Sequence, residues 1–323
     1  SGIPISTANG NIILNGTSKS ISGGSSNAGI YLDSLYSSTI AATGTGAVTL
    51  IGTGSAANTN GSEGLQLEAG VIKTASGILT LDGAGANAEG IYIGQNMNIG
   101  NASTQTGNIT IQSDAPTGID SLIISGLTGT LAPTNAPFTG TLITGKGALF
   151  LQPKNTGTSI GLAEGTGDFN VSTLDTKWIG GAFTKVTVGK ADGGDFNYAN
   201  TAGDVLAANL KLMTAGNLNI NDSLDVGANS LELYGNNVTL GSLVSVSSTS
   251  AEITVGEPVI EIIAANQFVN NELDSYHFIN LAYCTSTGDF NCSDFTINIL
   301  NNNSYYFHVN QTDNPPLFNS YAG

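Results

Sequence analysis

Five stretches of the chain open on the same pattern, a glycine followed by alternating apolar residues: Gly10-Asn-Ile-Ile-Leu14, Gly46-Ala-Val-Thr-Leu50, Gly77-Ile-Leu-Thr-Leu81, Gly107-Asn-Ile-Thr-Ile111 and Gly147-Ala-Leu-Phe-Leu151. The glycines stand 36, 31, 30 and 40 residues apart, so this is a repeat chain. Units of that size cannot bury a hydrophobic face alone and must stack on their neighbours. Alternation at period two assigns Val48, Leu50, Leu79, Leu81, Ile109, Ile111, Leu149 and Leu151 to the core. It turns Thr49, Thr80 and Thr110 to the outside.

A second phrase follows at variable distance, at Gly29-Ile-Tyr-Leu32, Gly64-Leu-Gln-Leu67, Gly90-Ile-Tyr-Ile93 and, degenerate, Gly118-Ile119. A third, weaker strand is expected around Ile40, Val71-Ile72 and Met97–Ile99. Three short strands per unit, separated by loops of unequal length, predict an all-β chain folded as a right-handed parallel β-helix with loop insertions. Residues 1–153 form the regular repeats; 154–204 read as an irregular insertion; compact coils return over 205–263. Inside the insertion, Ser172-Thr-Leu-Asp175 has the form of a helix start, which Gly180-Gly181 stops, with Trp178 as an anchor. From about residue 264 glycine nearly vanishes and aromatics rise, which predicts a distinct C-terminal cap or junction over 264–323. On the order of ten to thirteen coils at the usual strand spacing would make a rod roughly 50 to 60 Å long.

Only 10% of the 323 residues are charged, against roughly 25% in ordinary globular domains, so surface polarity falls to Asn, Ser, Thr and Gly. The formal charge of −16 comes from 24 carboxylates against eight lysines, with no arginine. Such a surface repels nucleic acid and anionic membrane and lacks the guanidinium clamp for phosphate. No apolar run is long enough to span a membrane. The opening at Ser1, without methionine or an apolar signal core, reads as a mature or excised segment.

Cys284 and Cys292 flank a turn around Ser286-Thr-Gly-Asp289 that predicts a local disulfide and an oxidising compartment. Asp192, Asp195 and Asp204 are weak calcium candidates, since Asp192-Gly-Gly-Asp195 faintly echoes a glycine-aspartate calcium repeat that occurs here once. No other cofactor is expected. The enzymatic competitor is a polysaccharide-degrading β-helix. A lyase of that kind commonly needs an arginine base, and a hydrolase needs carboxylates on adjacent coils. Beyond that aspartate cluster no paired-carboxylate or histidine motif is present, so no catalytic residue is assigned.

The phrases Gly10 to Thr17 and Gly29 to Gly54 resemble the shaft repeats of filamentous-haemagglutinin-type exoproteins, large surface adhesins exported by two-partner secretion. The stretch Ser159 to Lys190 is similar to a non-repeat insertion of that group, and Ala264-Ala-Asn-Gln-Phe-Val-Asn-Asn271 to a late shaft motif. The resemblance implies a shaft segment, an extracellular or cell-surface location and an outer-membrane secretion partner. The expected role is non-enzymatic attachment to a host-cell, glycan or matrix receptor. Like subunits joined end to end as a filament are the alternative, and a polysaccharide-active enzyme the second.

Overall fold

A computed structural model of the chain describes residues 4–19, 27–35, 38–56, 62–124, 142–180, 182–201, 208–241, 245–247, 253–256, 266–268, 277–279, 296–300 and 304–308. These residues are all-β apart from one four-residue helical turn, Thr173–Thr176, and their strands lie parallel in stacked sheets, consistent with a parallel β-helix. None of their helices is long and apolar enough to cross a membrane.

The longest sheet is built on the five repeated phrases, as the strands Ile12–Thr17, Val48–Thr53, Leu79–Ala84, Ile109–Asp114 and Ala148–Pro153. They pair in register, so that Ile12, Val48, Leu79, Ile109 and Leu149 form one inward column. Val48, Leu50, Leu79, Leu81, Ile109, Ile111, Leu149 and Leu151 are all buried at 0% exposure. Parallel pairing of identical alternation is what stacks like on like, since a slip of one residue would turn every interior side chain outward.

The repeated glycine has a steric cause. A Cβ on Gly46, Gly77, Gly107 or Gly147 would strike the carbonyl of the glycine one rung below, at Gly10, Gly46, Gly77 and Gly107 respectively. Rungs therefore lie backbone against backbone just before each strand, and only a residue without a side chain fits there.

The column does not stop at the expected insertion. Lys185–Gly189 pairs with Ala148–Pro153 on one side and Leu210–Met213 on the other, carrying the inward column on through Val186 and Leu210 to Leu231, and Ile253–Gly256 pairs next in register as the last parallel rung. Within the described residues the column holds nine parallel rungs, against ten to thirteen coils expected. Residues 154–204 also contribute Ile160–Ala163, Phe169–Ser172 and Phe196–Ala199 to a second parallel sheet with Asn217–Ile220 and Asn237–Leu240. Glycine-rich turns and the short helix Thr173–Thr176 separate these strands.

The second and third phrases are also rearranged. In Leu65–Thr74 and Ile91–Gly100 they run together as single ten-residue strands, with a register shift between Leu67 and Ala69. The degenerate phrase at Gly118-Ile119 is not a strand; Ile119 closes a turn on the Pro116 carbonyl, and Leu122–Ile124 pairs with Ile91–Ile93 instead. A second column in register is made of isoleucine throughout, inward at Ile40, Ile72, Ile99 and Ile143, partly buried at Ile179 and exposed at its first rung, Ile5.

Past residue 253 the pairing changes sense. Asn266–Phe268 still joins Ser245–Ser247 in parallel, but His277–Ile279 pairs with it antiparallel. Ile253–Gly256 takes Thr296–Leu300 antiparallel, which in turn pairs antiparallel with Ser304–His308.

Candidate contact surface

Outside the columns, equivalent positions on successive rungs line up as ladders. On the long sheet the ladder reads Ile13, Thr49, Thr80, Thr110, Phe150, Thr187, Lys211, Glu232, with Thr187 covered by its surroundings and buried. Its early part is neutral, with Ile13 66% exposed at the first rung. Its late part is ionic: Glu232 pairs with Lys185 and, at 3.8 Å, with Lys211, whose ammonium sits 4.2 Å over the Tyr234 ring. One position further along, Asp82 reaches two rungs across to Lys154 at 2.8 Å, and Gln152 donates to Gln112 at 3.1 Å.

A second exposed face is aromatic and acidic. Tyr31, Gln66, Tyr92 and Ile123 stand in step on neighbouring rungs, and Gln66 Nε2 donates to Glu68 Oε1 at 2.7 Å. Glu63, Glu89 and Asp120 each precede their rung by two residues, so they form a carboxylate series alongside. Burial, reinforced by Glu89 and Glu68, pushes the Glu63 carboxyl above the ordinary range. Burial and then Glu68, Glu89 and Glu63 raise the Tyr92 phenol likewise. A carboxyl whose charged form burial disfavours, with other carboxyl groups close by, is the kind of environment from which acid and base partners are made. The individual residues carry no motif; only the register between repeats of unequal length brings them together.

The two calcium candidates among the described residues, Asp192 and Asp195, take separate partners. Asp192 is exposed and bonds to Lys190 Nζ at 3.0 Å and to the Thr156 hydroxyl at 2.9 Å, and these partners hold its carboxyl below the usual range. Asp195 Oδ1 accepts the Asn217 N–H at 2.8 Å. Asp204 lies outside the described residues. Among the described residues no group of three or more His, Cys, Asp or Glu side chains is placed to hold a metal ion. Cys284 and Cys292 also lie outside the described residues.

The Ser172 to Asp175 start is present as a reciprocal cap: the Asp175 N–H donates to Ser172 Oγ at 3.2 Å, and Ser172 N–H and Oγ both donate to Asp175 Oδ2 at 2.7 Å. Trp178 is 5% exposed within the core. That burial makes the indole packing rather than an exposed platform for a sugar ring, and the Trp178 carbonyl accepts the Ile143 N–H at 3.0 Å.

No family model, curated protein or solved structure matches this chain.

Proposed function

We propose that this chain is the shaft of an extracellular, non-enzymatic adhesin of the filamentous-haemagglutinin type, acting by contact with a cell, glycan or matrix receptor. In this reading each coil is a right-handed turn of three strands, and the antiparallel strands beyond residue 264 cap the stack. The observation that carries it is the unbroken parallel column from Ile12 to Ile253, whose outer face is a ladder of Thr, Lys and Glu. A stiff stack with regularly spaced outward side chains suits display and attachment. The composition, poor in charge and rich in Asn, Thr and Gly, suits the same use. A secretion partner in the outer membrane follows from the family resemblance alone.

Two other readings each have an observation behind them. End-to-end assembly is favoured by the first rung, where Ile12–Thr17 is paired on one side among the described residues and Ile13 is exposed. A polysaccharide-active enzyme is favoured by Glu63, Glu68 and Glu89 around Tyr92, carboxylates on adjacent rungs of the kind a glycosidase needs. Purified protein tested together for cell and glycan attachment, for filaments by electron microscopy, and for polysaccharide turnover separates the three. Attachment by single rods without turnover supports the shaft. Turnover abolished by Glu63→Gln would replace it with the enzyme.

A further inference from the structure

Asp175, the capping carboxylate of the short helix, also reaches beyond it to a distant strand. It is 4% exposed, inside the Thr173–Thr176 turn. Besides the two bonds from Ser172 to Oδ2, its Oδ1 accepts the backbone N–H of Ile124 at 2.6 Å. The same turn runs on through Trp178, whose carbonyl accepts the Ile143 N–H at 3.0 Å, while the Gly180 N–H donates to the Ile143 carbonyl at 2.9 Å. One turn therefore grips two strands, Leu122–Ile124 and Leu142–Thr144, that flank residues 125–141 in the chain.

The charged groups on the elements around it are mostly acidic. Asp120 precedes the Leu122–Ile124 strand and acts on Asp175 directly. Asp168 bonds to Ser159 at 2.9 Å, Glu164 to the Thr201 hydroxyl at 2.7 Å, and Lys177 follows on the turn itself, exposed. Three donated bonds favour the ionised carboxylate, and burial opposes it. Burial wins, pushing the carboxyl from 3.8 to about 6, with Asp120 adding to the effect.

We propose that Asp175 makes this turn a pH-sensitive latch, closed most firmly in acid and opening more often as the pH rises towards neutrality. The sign follows from linkage. Opening returns the carboxyl to water, where its ordinary value of 3.8 applies, so the closed turn holds its proton more tightly than the open one. Below about pH 4 both forms are protonated and closure is strongest. Between about pH 4 and 6 the open form ionises first and gains; above about 6 both are ionised and the gain levels off.

Amide hydrogen exchange on the full chain tests this directly. Exchange at Ile124, Ser172, Ile143 and Gly180, corrected for the intrinsic rate at each pH, is compared with Leu81 and Ile111 in the long sheet. From about pH 4 to pH 7.5 the opening at the first four amides should rise by several tens of fold, at most about a hundredfold. Leu81 and Ile111 should not follow. Asp175→Asn, which never ionises, should give a flat profile. A flat wild-type profile, protection that grows with pH, or a pH response that survives in Asp175→Asn overturns the proposal. The wild-type measurement decides even if the variant fails to fold.

Discussion

The long sheet passes through two regions that solve the same stacking problem differently. From Ile12 to Val186 successive rungs lie 30 to 40 residues apart; from Val186 to Ile253 they lie 21 to 24 apart. From Ile12 to Leu231 the inward column is aliphatic in both regions, Ile, Val or Leu. Around it, the early interior is filled by more aliphatic residues such as Leu65, Ile72 and Ile91, whereas residues 160–198 bring in Phe169, Phe196 and Tyr198, among the largest fully buried side chains. Outside, the early rungs carry Thr49, Thr80 and Thr110. The later ones carry Lys-Glu pairs and asparagine ladders, with Asn219 donating to Asn197 at 3.0 Å and Asn237 to Asn217 at 2.8 Å. The inward alternation is thus the constant, and chain length per rung is free. Loop closure costs little more for a longer excursion, so a rung can lose or gain ten residues without disturbing the stack.

The largest expected effect tests whether the constant is the same in both regions. Leu79→Asp and Leu210→Asp each bury an unpaired charge between rungs and should each cost about 4 kcal/mol or more in chemical denaturation. If only one is damaging, the two regions do not share one column. Gly77→Ala should cost about 3 kcal/mol, because the new methyl meets backbone that cannot give way. Asn219→Ala removes one ladder bond in the short-coil region and should cost about 1 kcal/mol, read from thermal unfolding. Glu232→Gln should cost less than about 1 kcal/mol, and the loss should shrink in high salt, since its lysine partners are partly exposed. Thr80→Asp, on the neutral outer ladder, should stay within about 1 kcal/mol of the parent.

What could be read from the sequence was what repeats with period two. The five glycine phrases and their facing are recognisable because steric approach and burial act on the same residues in every rung, as at Gly77 and Leu79. The isoleucine column was half visible: Ile40, Ile72 and Ile99 stand in weak strands, but Ile5, Ile143 and Ile179 have no repeated phrase around them. Ile179 was also hidden behind the Ser172 to Asp175 helix start, a true local feature that ends by delivering that residue to the column. The aromatic and acidic face around Tyr92 could not be seen, because aligning Glu63, Glu89 and Asp120 requires knowing how much chain each loop absorbs. Asp175 read as a cap and was one; its bond to Ile124, 51 residues away, is purely tertiary.

A single in-register parallel column of strands runs through both regions. Paired spin labels on the outer ladder measure it, with both native cysteines replaced by serine and cysteines introduced as Thr49→Cys with Thr110→Cys, or Thr49→Cys with Lys211→Cys. Two and five rung steps at the usual strand spacing predict backbone separations of about 10 and about 24 Å. Separations that fail to grow with the number of rungs, or a Thr49 to Lys211 separation far from that value, would contradict the continuous column.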